Sequence, residues 1–158
     1  MSFRALELPD GVPGRLWLHA MPARVESWPA FTALAAQHRL HGLVCLNPMH
    51  EVAGLSPDYH AAIRAGSLPW RWRHLPMRDF GLAAGSTVFH EHVVAVAEEL
   101  EQGQVLLLHC AAGIGRTGTF AACVLKQLGC NKTEALQRVR AAGSNPESSA
   151  QSGLIDSF

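Results

Sequence analysis

Residues 105–128, VLLLHCAAGIGRTGTFAACVLKQL, constrain the fold more than any other stretch of the chain. Val105 to Leu108 is a short, uninterrupted apolar run, the pattern of a strand covered on both faces, as strands are in parallel sheets packed between helices. From Arg116 to Leu128 the apolar residues fall nearly all round a helix, so that helix is covered on several sides. Only a short glycine-rich turn joins the two. The remaining sequence alternates in the same way. RLWLHA (15–20) and GLVCLN (42–47) read as buried strands. Between them lies a helix with Ser27 as N-cap, an early Pro29, and Phe31, Leu34 and Ala35 at helical spacing. Ser56 is expected to cap a short helix entered through Pro57, and WRWRHL (70–75) alternates like a strand with one wetter face. Phe89, Val93, Val96 and Leu100 mark a helix stopped by Gly103, Asn131 with Glu134 is a capping box opening another, and PESSAQSGLIDSF forms the last. The expected fold is α/β, with a central, largely parallel sheet flanked by helices and residues 1–158 forming a single domain.

In such folds ligands gather beyond the carboxyl ends of the strands, where the turn at 109–116 lies. Gly113, Gly115 and Gly118, with Ala111 and Ala112, permit close approach of the backbone, so successive N–H groups can converge on one anion. The helix starting near Arg116 adds unpaired N–H groups and its positive dipole end. A phosphate is stabilised by such a cradle, and so is the thiolate of Cys110, because helix N-termini and nearby cations favour the ionised thiol. Arg116 can grip two phosphoryl oxygens through its planar fork, and the Thr117 hydroxyl can donate to the sulfur.

The bulk numbers exclude less than the loop suggests. Thirteen basic residues balance thirteen acidic ones, so neither nucleic acid nor an anionic membrane is an expected partner. The N-terminus MSFRALELPDG lacks the pattern of a signal peptide, and no stretch approaches the roughly 20 apolar residues of a spanning helix, so a cytoplasmic location is expected. Four cysteines in apolar segments, without a CxxC spacing, read as reduced thiols. His90 and His92, the densest histidine pair, point away from each other on a helix, which speaks against a metal site.

HCAAGIGRTGT (109–119) resembles the protein tyrosine phosphatase signature, His-Cys-x5-Arg followed by Ser or Thr. LWLHAMP, GLVCLN, LPMRDFG and the C-terminal tail occur in the order found in the compact dual-specificity, kinase-associated-phosphatase-like branch of that superfamily. The resemblance implies a phosphatase that works through a phosphocysteine intermediate with neither metal nor cofactor, acting on a phosphorylated protein or peptide. Cys110 is then the nucleophile, Ala111, Ala112, Gly113, Ile114, Gly115 and Arg116 bind the phosphate, and His109 orders the loop from beneath. Asp79 in LPMRDFG is the general acid, although Met77 and Arg78 stand where tyrosine-specific members carry Trp-Pro. Gln151 in the tail is the residue that guides the hydrolytic water. No counterpart of the loop that deepens the phenol pocket of tyrosine-specific members is evident, so phosphoserine and phosphothreonine are expected substrates beside phosphotyrosine.

Several alternatives stay open on the residues alone. GIGRTG (113–118) also fits G-x-G-x-x-G, with Glu134 at the distance of a ribose-binding acid, but Glu134 falls at a helix start rather than a strand end. The phosphate ester could be a nucleotide or RNA 5′-phosphate, or a phosphoinositide, although the superfamily's phosphoinositide phosphatases tend to carry lysines in the signature loop where Ala111, Ala112 and Ile114 stand here. Arg71, Arg73 and Arg78 could line a basic rim near Asp79, or simply be a solvated strand face. A phosphate-binding module without turnover would not require the thiol, and a rhodanese-type sulfur carrier would not require the Arg-Thr-Gly helix start. Cys45, on a strand expected beside that of Cys110, is a candidate partner for a reversible disulfide, or a small core residue.

Overall fold

Leu106 and Leu108 side chains enter one apolar cluster and Leu107 enters another, so the central strand is apolar on both faces, as its unbroken sequence run requires. The structure is a computed structural model and describes residues 2–78 and 86–158. Within it a five-stranded sheet has the order β1-β2-β5-β3-β4. The strands are β1 (Arg4–Leu6), β2 (Arg15–His19), β3 (Gly42–Cys45), β4 (Arg71–His74) and β5 (Val105–His109). β1 runs antiparallel to β2, while β2 pairs with β5, β5 with β3 and β3 with β4 in parallel.

The helices are α1 (Trp28–Gln37), α2 (Met49–Leu55), α3 (Pro57–Ala65), α4 (Ser86–Glu101), α5 (Gly115–Gln127), α6 (Lys132–Ala141) and α7 (Ser149–Asp156). One face of the sheet packs on α4, α5, α6 and α7 through Phe89, Val93, Phe120, Val139 and Ile155. The other packs on α1 and α3 through Phe31, Tyr59 and Trp70. Gly115 through Leu125 are all buried, so α5 is the covered helix its composition predicts. Every parallel strand delivers its carboxyl end to the same edge of the molecule, and the turn 110–114 lies there between β5 and α5.

Side-chain caps read from the sequence open α1 and α6, and a third opens α7. Ser27 accepts from the Ala30 amide (3.2 Å), Asn131 from the Glu134 amide (2.9 Å) and Ser148 from the Gln151 amide (3.1 Å). The Glu134 carboxylate accepts from the Asn131 side-chain amide at 3.1 Å, a variant of the reciprocal box. Ser56 departs from its expected role. It precedes α3, but its hydroxyl makes no cap and donates instead to the carbonyl of Pro22 at 2.6 Å, where a buried acceptor needs a donor. β1 and α2 were not foreseen. β1 is three residues long and exists through pairing with β2, and α2 is seven residues with no side-chain cap.

Gly118, in the second turn of α5, faces the backbone after α6. A methyl group there would stand 2.7 Å from the Asn145 nitrogen and 2.9 Å from its carbonyl carbon, both immobile atoms. Gly118→Ala is therefore expected to destabilise the protein by roughly 1–3 kcal/mol, despite alanine's better helix propensity, because the overlap is with backbone. Urea denaturation of the two proteins measures this, with a lower midpoint expected for the variant.

Candidate active site

β5 carries His109 into the carboxyl edge of the sheet, and Cys110 follows as the first residue of the turn. The Cys110 side chain is buried, and its sulfur accepts from the Gly113 amide at 3.3 Å and the Thr117 hydroxyl at 3.1 Å. Two donors are thus aimed at one sulfur.

The carbonyls of the turn are almost all drawn away from that sulfur. Ala111 O accepts from the Met21 amide (3.1 Å), and Ile114 O from the amides of Gly118 (2.8 Å) and Asn145 (3.1 Å). Gly115 O accepts from the Thr119 hydroxyl (2.9 Å). Gly113 O accepts from Arg4 Nη2 (2.5 Å) and Ser144 Oγ (2.6 Å). A peptide plane is rigid, so each carbonyl held outward points the following N–H inward. Gly113 makes the turn possible. Its φ is +76°, and a Cβ there would lie 2.5 Å from the His19 carbonyl oxygen. The first amides of α5 have no carbonyl one turn back and add to the same concavity.

The Arg116 side chain is 2% exposed, and its position is set by a residue that the sequence does not advertise. Nη1 donates to both carboxylate oxygens of Glu51, at 3.0 and 3.1 Å, and to the Met77 carbonyl at 2.9 Å. Glu51 sits in the first turn of α2 and is itself held by Asn47 Nδ2 at 3.3 Å. The only sequence signal for Glu51 was its place just beyond the carboxyl end of β3, the edge to which the site belongs.

His109 is fully buried and belongs to a chain of hydrogen bonds behind the turn. A carbonyl can only accept, so Nδ1 carries the proton that goes to Cys110 O (3.2 Å). Nε2 then accepts from the Tyr59 hydroxyl (2.8 Å), whose oxygen accepts from Trp72 Nε1 (2.9 Å). Burial holds the imidazole pKa down to about 3, and the buried Tyr59 phenol is pushed above its usual range for the same reason. The Nδ1 contact to Cys110 O ties the ring to the first residue of the turn.

The other residues singled out in the sequence are distributed unevenly. Gly113 and Thr117 meet at the Cys110 sulfur, Ala111, Ala112, Ile114 and Gly115 lie in the same turn and helix start, and Arg116 is buried in the first turn of α5, whereas Asp79 lies outside the described residues. Gln151 is buried against α5, its Oε1 accepting from the Glu147 amide (2.8 Å) and lying 3.3 Å from the Thr119 hydroxyl oxygen, while its Nε2 has no hydrogen-bond partner among the described residues. Arg71 and Arg73 both turn to Glu99 of α4, at 3.3 and 3.1 Å, so their charge is offset rather than offered as a basic rim. Cys45 pairs in register with His109, but its side chain lies in the cluster on the opposite sheet face from that of Cys110. Its thiol donates to the Asn47 carbonyl (3.7 Å), and burial raises its pKa to about 12. Glu134 lies in the first turn of α6, which removes the dinucleotide reading. Among the described residues no three potential ligands come together as a metal site, and no helix is long and apolar enough to cross a membrane.

The family described as "Polymorphic toxin system, DSP-PTPase phosphatase" matches this chain over residues 24–130, from the approach to α1 through the whole cysteine turn and α5. The chain belongs to that family. It is a member of the cysteine-dependent protein tyrosine phosphatase superfamily. Protein tyrosine phosphatase domain-containing protein 1 of Bos taurus is 32% identical over 81 residues, which is 51% of this chain and 10% of the relative, so the match spans about a tenth of that protein's length. Among solved structures, kinase associated phosphatase with its catalytic-site cysteine substituted by serine superposes with a TM-score of 0.83 at 18% identity, covering 100% of this chain and 93% of the other. PTPMT1 in complex with PI(5)P superposes with a TM-score of 0.72 at 20% identity, covering 96% and 92%. At these identities the two superpositions establish the shared fold.

The depressed His109 pKa has a consequence for the stability of this protein in acid. The folded state refuses a proton that the unfolded histidine accepts near pH 6.5, so the stability held above that pH falls as pH drops from about 6.5 toward 3, by up to ~1.4 kcal/mol per unit. Thermal unfolding of wild type and His109→Asn between pH 7 and pH 4 should show a slope shallower by about one proton in the variant.

Proposed function

We propose that residues 1–158 act as one phosphatase domain that hydrolyses phosphotyrosine, and also phosphoserine and phosphothreonine, in a phosphorylated protein or peptide. The observation that carries this reading is the Cys110 sulfur, which accepts from the Gly113 amide and the Thr117 hydroxyl in a turn that leads directly into α5, where Arg116 is buried in the first turn. The Cys110 thiolate attacks phosphorus, and the bond from phosphorus to the leaving oxygen breaks. The amides of residues 111–116 and the Arg116 guanidinium hold the non-bridging oxygens, whose charge is spread in the transition state. Asp79 gives its proton to the departing phenoxide or alkoxide. Water then attacks the phosphocysteine, guided by Gln151, and releases phosphate and the thiolate. Glu51 keeps the guanidinium oriented, since its carboxylate engages Nη1.

A protein substrate is favoured over a phosphoinositide because Ala111, Ala112 and Ile114 offer the loop no cation for additional phosphates, and because Arg71 and Arg73 are already drawn to Glu99. PTPMT1 in its complex with PI(5)P makes the lipid the comparison worth including.

Initial rates of phosphate release are to be measured on matched phosphotyrosine and phosphothreonine peptides and on PI(5)P, with Cys110→Ser as the blank. Release from both peptides at comparable efficiency is expected. Release from phosphotyrosine alone refutes the dual specificity, and release from the lipid alone refutes the protein substrate. In the same assay Asp79→Asn is expected to slow phenyl phosphate on the order of 10²-fold, and p-nitrophenyl phosphate much less, because a good leaving group needs no proton. Equal losses would remove Asp79 from the role of general acid.

A further inference from the structure

Arg4 lies on the three-residue edge strand β1, far in sequence from the cysteine turn, and its side chain is half-buried beneath it. Nη2 donates to the Gly113 carbonyl at 2.5 Å, while Nη1 donates to the Ala142 carbonyl at 2.6 Å and to Ser144 Oγ at 2.9 Å. Ser144, almost fully buried after α6, passes its own proton to the same Gly113 carbonyl at 2.6 Å. One carbonyl thus receives two donors, one of them charged, a stronger hold than any other carbonyl of the turn has. Space is built around the guanidinium. Gly113 and Gly143 both have positive φ, and a Cβ on either would lie 2.8 and 3.0 Å from the Arg4 nitrogens.

The peptide between Gly113 and Ile114 is the one that this pair controls. On its other side the Gly113 amide already points at the Cys110 sulfur. With the Gly113 carbonyl held outward, the Ile114 amide points inward as well, so two successive N–H groups face the concavity and form an anion nest. Without the hold, the peptide is free to rotate about the flexible Gly113, and a carbonyl turned inward would repel a phosphate.

We propose that Arg4 and Ser144 are positioning residues of the phosphate cradle, which turn the Gly113 carbonyl outward and so aim the Ile114 amide at the phosphoryl oxygens. This rests on the reading of the turn as a phosphate site. It ties the site to the first strand of the chain, which lies outside the stretch matched by the family, residues 24–130. Neither residue touches the substrate, and neither exchanges a proton with it.

The full chain, as wild type, Arg4→Gln and Ser144→Ala, is to be assayed with p-nitrophenyl phosphate for kcat and KM, with orthovanadate for its inhibition constant, and for its thermal midpoint. Arg4→Gln is expected to lower kcat/KM and weaken vanadate in parallel, each by roughly 10–100-fold, with kcat falling more than KM rises because the oxyanion donors act most strongly in the transition state. Ser144→Ala, which keeps Arg4 and serves should Arg4→Gln fail to fold, is expected to show the same pattern at about 3–10-fold. Variants that lose thermal stability while their vanadate inhibition and kcat/KM match wild type overturn the proposal and leave the two residues as struts. A wild-type protein that neither turns over the ester nor takes vanadate overturns the phosphatase reading, and this proposal with it.

Discussion

The outward pull on the carbonyls of the cysteine turn is the constraint on which the site depends. Left to itself, a run of small residues has no reason to present its amides on one side, and carbonyls on the inner wall would repel any oxyanion. Five elements prevent this: β1 through Arg4, the segment after β2 through Met21, α5 through Gly118 and Thr119, and the segment after α6 through Ser144 and Asn145, with His109 of β5 beneath. Each hydrogen bond contributes only about 0.5–1.5 kcal/mol net. Their collective effect is directional, since they fix which way each peptide faces before any ligand arrives. That is preorganisation in its simplest physical form.

Charge in the site is balanced on the same principle. Arg116 is buried beside the Glu51 carboxylate, whose opposite charge offsets the guanidinium, and Nη1 engages both carboxylate oxygens and the Met77 carbonyl, which leaves its orientation little freedom. Removing the Glu51 carboxylate would take an opposite charge away from a buried guanidinium. Behind the turn the opposite solution holds. Burial keeps His109 and Tyr59 neutral, and the indole of Trp72, which does not ionise, completes their hydrogen bonds, so the loop rests on a polar chain that carries no charge. A cationic histidine there would change the field at the thiol, and the depressed pKa prevents it at ordinary pH.

Kinase associated phosphatase and this chain differ at most positions yet superpose over the full length of this one, at a TM-score of 0.83 and 18% identity. The core explains how that is possible. Positions in the two apolar clusters need only be apolar and of suitable volume, which many residues satisfy.

What was legible in the sequence is what neighbouring residues decide among themselves. The buried strand Val105–His109, the covered helix Gly115–Gln127, the caps at Ser27 and Asn131, and the Cys-x5-Arg turn with Thr117 behind it all follow from periodicity and short-range spacing, which report on contacts within a turn or two of chain. Ser56 shows the limit of such signals, since a cap sequence yielded to a distant buried carbonyl. Glu51, 65 residues from the arginine it holds, Arg4, 109 residues from Gly113, and Ser144, 31 residues from it, have no local signature. Only the order β1-β2-β5-β3-β4 brings their elements to one edge. The sequence by itself determined the chemistry, a thiol and a guanidinium on a glycine turn between strand and helix. The tertiary structure decided which way the peptides of that turn face, because their carbonyls are held by partners that chain topology, and no local spacing, places beside them.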